Sequence, residues 1–326
     1  MFGNASRKVA QTRFIYLILA ALVGFASLVP ATAFDKKDKT DGTPVIWEDR
    51  GPISGRELYY GRGSEERSPK APFTFVEEDS SGTNPKFDVT DSNGTKWKVK
   101  LGNEAQPETV VSRLLWAAGY FSDEDYYLPQ FSVIGLKHLN RGQHYVHDGT
   151  VTGGRFKRSN KGEKNIDTWK WYKNPFIGTK EFQGLKVMML LVNNWDIKDV
   201  NNKIIRVESE NSGPQLRYEV SDLGASLGQT GGFFSRSRNK TDDYVKTKFV
   251  EEAKRPFIKF DYRGKEQDLF KDITISQARW IGGMLSALSD QQLADIFRAA
   301  DYSPEEIQEL TLALKTRITE LATLPE

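Results

Sequence analysis

The sequence has no cysteine among its 326 residues and only three histidines, His138, His144 and His147. Without cysteine the chain can form no disulfide, thiolate nucleophile, cysteine-ligated zinc site or iron–sulfur cluster. With only three histidines, a histidine-rich metal site is not expected. The signatures of α/β-hydrolases, zinc proteases, P-loop proteins and Rossmann dinucleotide-binding proteins are also absent. Asp, Asn, Glu and Lys therefore remain as the residue types that can carry a chemical reaction.

The chain also has little net charge once its first segment is set apart. The formal net charge is +2, but residues 1–13 contain Arg7, Lys8 and Arg13 and no acidic residue. Of the 46 basic residues, 43 remain outside this segment, against 44 acidic ones. A near-neutral chain gives no reason to expect a nucleic-acid partner.

A mainly apolar run over residues 14–29 follows these cations and precedes Ala-Thr-Ala at 31–33. This order is typical of a secretory signal peptide, so residues 1–33 are predicted to be removed on export. The alternative is an uncleaved membrane anchor, because residues 14–33 are just long enough to span a bilayer. Membrane contact is expected only in that case. An exported chain without cysteine indicates the bacterial periplasm.

Hydrophobic patterning divides the rest of the chain into an arm and two lobes. Residues 34–72 have little periodicity and are predicted to be an extended arm or linker. Residues 73–160 alternate as strands do, with one helix predicted over 107–119. Residues 161–326 contain an apolar helix, a short strand pair, a Gly- and Ser-rich loop at 224–243 predicted to be mobile, and helices from Ile275 onward. The predicted class is α+β, with a strand-rich N-lobe, a helical C-lobe and a cleft between them.

Two polar segments of the C-lobe follow apolar segments that should be buried, so they lie where elements end. Residues 194–202 contain Asp196 and, five positions later, Asn201. Residues 221–228 contain Asp222-Leu-Gly. A carboxylate that orients a hydroxyl and oxygen ligands that hold Mg²⁺ are what metal-assisted phosphoryl transfer requires.

The N-lobe offers the remaining groups of such a site. Lys100 ends the third predicted strand, and Glu108 lies early in the helix that follows. A cation on the phosphates, fixed by a partner acid, completes the set.

In this order and spacing the chain resembles the atypical branches of the protein-kinase-like superfamily: HipA-type kinases, spore-coat CotH-type kinases and phosphoinositide-kinase relatives. The D-x-x-x-x-N at 196–201 resembles a kinase catalytic loop, and Asp-Leu-Gly at 222–224 resembles the metal-binding D-F-G. The helix opened by Glu108 ends Leu-Leu-Trp-Ala-Ala-Gly-Tyr, similar to the HipA-type pattern. The resemblance spans about residues 73–300 and implies a bilobal, protein-kinase-like fold with an antiparallel-sheet N-lobe.

The resemblance also implies a role for each residue. Asp196 would be the catalytic carboxylate, and Asn201 and Asp222 would be the metal ligands. Lys100 would bind the phosphates, paired with Glu108.

The nucleotide side of the implied site is less defined. Lys98 shares a strand face with Lys100, so the choice between them is open; Lys100 is preferred because it lies nearer the helix. The loop over the phosphates would be residues 78–84, whose single glycine is Gly82. The implied cofactors are ATP or another nucleotide and Mg²⁺ or Mn²⁺.

Two functions follow from these expectations. The first is an exported kinase-like phosphotransferase that transfers phosphate from a Mg-nucleotide to a hydroxyl of a protein, lipid or small molecule. The alternative is a catalytically degenerate, pseudokinase-like module of the cell envelope that binds a nucleotide, metal or partner without turnover. A structural envelope protein and a Ca²⁺ site at residues 196–202 are further alternatives. The sequence leaves the acceptor and the oligomeric state open.

Overall fold

The computed structural model describes residues 41–160, 162–208, 213–232 and 234–325. The predicted signal or anchor segment, residues 1–33, lies outside these ranges. In the described part of the chain, no helix is long and apolar enough to cross a membrane. From Gly42 onward the chain forms one unit with a strand-rich lobe and a mainly helical lobe. The predicted α+β class, with a strand-rich N-lobe and a mainly helical C-lobe, is confirmed.

The elements of the described residues are numbered here in chain order. The strands are β1 (Thr43–Val45), β2 (Phe73–Asp79), β3 (Lys86–Thr90), β4 (Lys96–Lys100), β5 (Asp125–Ile134), β6 (Val146–His147), β7 (Thr150–Arg158), β8 (Glu163–Asp167), β9 (Asn202–Val207), β10 (Gln215–Val220), β11 (Val250–Lys254) and β12 (Phe257–Phe260). The helices are α1 (Ala105–Ala117), α2 (Lys180–Leu191), α3 (Thr241–Lys246), α4 (Ile275–Leu285), α5 (Asp290–Arg298) and α6 (Pro304–Ala322).

The N-lobe is a six-stranded sheet that curls back on itself. Its order is β4-β3-β2-β5-β7-β6, and β4 also pairs with β7. Neighbouring strands are antiparallel except for β2 and β5, which are parallel. The inner face is packed with apolar and aromatic side chains, among them Phe87, Trp97, Val99 and Phe156. Because side chains alternate along a strand, Lys98 and Lys100 of β4 point to the opposite face, where both line a cleft.

Helix α1 follows β4 and packs against the sheet and the C-lobe. Its apolar positions, including Val111, Leu114 and Leu115, are buried in the larger of the two cores. The helix ends before Gly119, which has φ +92°. A side chain at Gly119 would clash with the Trp47 indole, so this position requires glycine on both counts.

The C-lobe is built on the buried helix α2 and the three C-terminal helices. Ser289 and Ser303 cap α5 and α6 with capping boxes, as the sequence predicted for both N-caps. A four-stranded sheet, β1-β10-β9-β8, lies beside these helices. The sequence did not predict the β11–β12 hairpin, and helix α3 begins inside the segment predicted to be a mobile loop.

The described part of the predicted arm contacts both lobes. Strand β1 pairs in parallel with β10. Arg62 donates to the Ser122 carbonyl at 2.8 Å and to Glu219 at 3.4 Å, and Arg67 pairs with Glu124. These contacts fix residues 43–72 along the surface of the unit.

Candidate active site

Lys100, at the end of β4, is the buried centre of the candidate site. Its Nζ lies 2.9 Å from Glu108, 3.2 Å from Glu104 and 2.7 Å from Asp222. Asp222 belongs to the C-lobe, so the ammonium group joins the two lobes. Of the two candidate lysines, Lys100 is therefore the one that contacts Glu108.

Glu108 is held from two sides. One carboxylate oxygen accepts from Lys100, and the other accepts from Arg155 Nε and Nη2 at 3.0 and 2.6 Å. Arg155 lies on β7, opposite Lys100 in the β4–β7 register. A buried carboxylate paired in this way is fixed in one orientation, because charge-assisted and two-pronged hydrogen bonds are strong and directional.

Asp222 opens the Asp-Leu-Gly turn after β10, in left-handed backbone conformation with φ +57°. Leu223 is buried, and a Cβ at Gly224 would clash with the Glu104 side chain, so only glycine lets the turn approach α1. Burial opposes the charge on Asp222, but Lys100 outweighs it and lowers the pKa of this carboxyl below its ordinary value.

Asp196 lies in the loop after α2, between two lysines. Its carboxylate oxygens are 2.6 Å from Lys198 Nζ and 2.5 Å from Lys265 Nζ. Its backbone N–H donates to the Asn194 side chain at 3.0 Å, which shapes the loop. Burial opposes ionisation, but the two ammonium groups lower the pKa of Asp196 overall.

Asn201 ends a single 3₁₀ turn, Asp199–Asn201, and its carbonyl accepts from the Ser221 hydroxyl at 2.6 Å. That hydrogen bond ties the first polar segment to the second. Asp196, Asn201 and Asp222 line one small cavity. Asp199 is not among its lining residues and instead accepts from the Trp171 backbone N–H at 3.0 Å.

The loop predicted to cover the phosphates lies at the entrance of a second, larger cleft. Gly82 lines this cleft and has φ +66°, and its carbonyl accepts from Arg141 at 2.7 Å. Lys98 lines it as well, paired with Asp79 at 2.7 Å and with Asp88 at 2.8 Å. The structure thus brings all seven predicted site residues to two adjoining cavities that share Asp222.

Several charged residues of the larger cleft were missed in the sequence. Asp123 accepts from Lys157 at 2.8 Å and from Lys203 at 3.1 Å. A signal was present for one strand: Arg155 and Lys157 flank the buried Phe156, and alternation predicts that both face away from the core. Asp123 and Lys203 carried no such signal, because they reach the cleft only through the tertiary arrangement.

A second missed contact links the loop after Asp222 to both lobes. Arg238 pairs with Glu104, the acid that also contacts Lys100. The guanidinium groups of Arg236 and Arg238 lie 4.2 and 4.8 Å from the ring centre of Trp195. The segment is therefore attached to the residue next to Asp196 and to the start of α1.

The oxygen donors fit a magnesium site that phosphates would complete. Within the described ranges, no three His, Cys, Asp or Glu side chains are grouped as a self-sufficient metal site. Mg²⁺ usually takes one or two carboxylates together with substrate phosphates and water. The side chain of Asp222 is 44% exposed and accepts from Lys100 through Oδ1, and Asp222 lines the same small cavity as Asn201.

The solved structures that are similar to this chain include kinases. No family model matches the sequence, and no curated protein matches it either. The proinflammatory kinase CtkA of Helicobacter pylori is 13% identical, over 77% of this chain and 95% of that chain, with a TM-score of 0.46. The Golgi casein kinase with Mn and ADP bound is 9% identical, over 99% and 90%, with a TM-score of 0.42. At these values the similarity assigns no residue a role, and the interpretation of the site depends on its own geometry.

Proposed function

We propose that this chain is a metal-dependent phosphotransferase that moves a phosphoryl group from a phosphoanhydride donor to a hydroxyl. One observation carries the proposal: Asp222 both pairs with the buried Lys100–Glu108 couple and shares a cavity with Asp196 and Asn201. Asp222 therefore links a cation for the phosphates, a second metal ligand and a carboxylate for the acceptor hydroxyl. Mg²⁺ or Mn²⁺ and a nucleoside triphosphate are the cofactors that we propose from the family resemblance.

Each residue then has a chemical task. Lys100, fixed by Glu108, neutralises charge on the donor phosphates. Asp222 and Asn201 would hold the divalent cation, which supplies electrostatic stabilisation of the transferring group when bound. Asp196 accepts a hydrogen bond from the acceptor hydroxyl and so orients the hydroxyl oxygen toward the terminal phosphorus.

The transfer itself balances without a further reactant. The bond from the hydroxyl oxygen to phosphorus forms, the bond from phosphorus to the bridging oxygen breaks, and the diphosphate leaves with the bonding pair. The hydroxyl proton passes to Asp196. Because two lysines lower the pKa of Asp196, it is ionised at neutral pH and takes this proton only as the new ester bond forms.

A catalytically degenerate binding module is the second candidate, and a specific contact favours it. Lys100 is engaged by three carboxylates at once, Glu104, Glu108 and Asp222. The loop at 78–84 also lacks the glycines that bring backbone N–H groups to phosphates. We propose that in either case the protein acts in the bacterial envelope after export, because residues 1–33 resemble a signal peptide.

Phosphate transfer from γ-labelled ATP with Mg²⁺ or Mn²⁺, to a panel of hydroxyl acceptors and to the chain itself, tests the proposal. Wild-type chain, Asp196→Asn, Asp222→Asn and the exposed control Asp268→Asn are compared. We expect transfer in the wild type and the control, and a loss of at least about 100-fold in the two site variants.

Binding separates the two candidates. Metal-dependent ATP binding without transfer to any acceptor would support the binding module. Transfer that survives in both Asp196→Asn and Asp222→Asn would contradict the assignment of the site.

A further inference from the structure

The larger cleft is lined by charged and small polar residues. Six cations line it: Lys86, Lys98, Lys100, Arg155, Lys157 and Lys203. Its carboxylates are Glu108, Asp123 and Asp222, and the other described lining residues are Gly82, Thr83, Asn84 and Ser221. Among these lining residues, none has a wholly aliphatic or aromatic side chain. An anion with several charges is the complementary ligand.

One carboxylate of the cleft is shared by two lysines. Asp123 pairs with both Lys157 and Lys203, and the two lysine side chains keep 29% and 21% of their surface exposed. Burial lowers the pKa of Lys157, as does the neighbouring Lys203 ammonium, although Asp123 opposes both. Glu219, the other acid near Lys203, pairs with Arg62, and burial raises its pKa to about 7. The two ammonium groups share the single carboxylate of Asp123.

Strand register places this cluster in line with the catalytic lysine. Lys157 lies opposite Lys98, and Arg155 lies opposite Lys100, on the two paired strands β4 and β7. Lys203 follows the candidate metal ligand Asn201 by two residues. These five cations thus lie on three strands, β4, β7 and β9, that line one cleft.

A nucleoside needs a different lining. Pockets for ligands of nucleotide size are mostly apolar and enclose roughly 300–1,000 Å³, because ring faces are desolvated between apolar side chains. This cleft encloses about 190 Å³, and none of its described lining residues has a wholly aliphatic or aromatic side chain. We infer that it binds the phosphate chain alone, so that an inorganic phosphoanhydride, triphosphate or pyrophosphate, can serve as the donor and the nucleoside of a nucleoside triphosphate adds little to binding.

This inference rests on the proposed phosphotransferase and narrows its donor. With triphosphate as donor, the acceptor oxygen forms its bond to a terminal phosphorus and the adjacent bridging P–O bond breaks. Pyrophosphate leaves with the bonding pair, and the hydroxyl proton passes to Asp196. Lys157 and Lys203 would hold the end of the chain that leaves.

Isothermal titration of the full chain with Mg²⁺ plus triphosphate, pyrophosphate, ATP or adenosine tests the inference. We expect triphosphate to bind, ATP to bind no more than about fivefold more tightly, and adenosine to give no heat and no competition. An ATP affinity about 100-fold or more above that of triphosphate, or competition by adenosine, would overturn it, because a stacked base contributes on this scale.

Variants at Lys157 locate the contact. Lys157→Met should weaken triphosphate and ATP equally, by about tenfold, whereas Lys157→Arg and the exposed control Lys164→Met should bind as the wild type does. If Lys157→Met does not fold, the ligand ranking on the wild-type chain still decides. ATP binding and transfer without triphosphate binding would contradict only this inference. Failure of every phosphate ligand to bind would contradict the proposed function as well.

Discussion

The two sides of the cleft hold their charged groups in different ways. On the N-lobe side, the charged groups lie on regular elements and are buried. Glu108 pairs there with both Lys100 and Arg155. On the C-lobe side, Asp196 lies in a loop, and its partners Lys198 and Lys265 are each 43% exposed. Breaking a buried ion pair leaves an uncompensated charge, whereas an exposed pair contributes little to stability. The N-lobe side is therefore part of the folded framework, whereas Asp196 and its exposed partners can change without disturbing it.

The largest effect on stability is expected from Glu108→Gln. This change leaves Lys100 and Arg155 without their shared carboxylate in a buried position, which should cost about 3–5 kcal/mol. The matched control is Glu251→Gln, which breaks an exposed pair with Lys259 and should cost below about 1 kcal/mol. Urea unfolding followed by circular dichroism gives both values. Equal losses in the two variants would remove the distinction between the two sides.

The contribution of Glu219 to the free energy of unfolding is expected to depend on pH by about 3 kcal/mol. Burial raises the pKa of this carboxyl from 4.5 to about 7, although Arg62 opposes the shift. The folded chain then keeps a proton that the unfolded chain releases, so the contribution of Glu219 to stability falls as the pH rises from about 4.5 to 7.

Unfolding of the wild type and Glu219→Gln at pH 5 and pH 8 checks this sign. The stability of the wild type relative to the variant should decrease between the two pH values. A constant or increasing difference would mean that the carboxyl is ionised in the folded chain at both.

A smaller effect is expected from Lys265→Met, and in activity rather than in stability. Loss of one ammonium group raises the pKa of Asp196, so the acid limb of the kcat/KM profile should move to higher pH. The free energy of unfolding should change by less than about 1 kcal/mol. The exposed variant Lys259→Met should leave the profile where it is. If the profile is unchanged in Lys265→Met, ionisation of Asp196 does not set the acid limb of the kcat/KM profile.

The smallest change in stability is expected from Asp196→Asn. Both of its lysine partners can turn to solvent, so we expect a loss below about 1 kcal/mol, together with the large loss of transfer proposed above. Thermal unfolding of the variant provides the measurement. A loss as large as that of Glu108→Gln would show that Asp196 belongs to the framework after all.

The sequence predicted those parts of the site that depend on local order. Lys100 and Glu108 are eight positions apart and lie on a strand and the next helix, so their proximity follows from local structure. Asp196, Asn201 and Asp222 were identified because their order and spacing resemble a kinase catalytic loop and its D-F-G, in two polar segments that follow apolar ones. The α+β class and the C-terminal caps followed from periodicity and from serine preferences at helix starts.

The rest of the cleft depends on contacts between distant segments. Arg155 reaches Glu108 only because β4 pairs with β7, which is a matter of tertiary register. Asp123 meets Lys157 and Lys203 from three separate elements. Glu104, which also contacts Lys100, was not among the predicted site residues.

In the proposed function, Asp222 and Asn201 hold a divalent cation where the two sides of the cleft meet. Electron paramagnetic resonance of Mn²⁺ bound to the full chain, with ATP or triphosphate present, tests it most directly. We expect Mn²⁺ binding in the wild type and in Asp268→Asn, and a loss of at least about tenfold in affinity in Asp222→Asn. Mn²⁺ binding by Asp222→Asn that equals the wild type would contradict the claim.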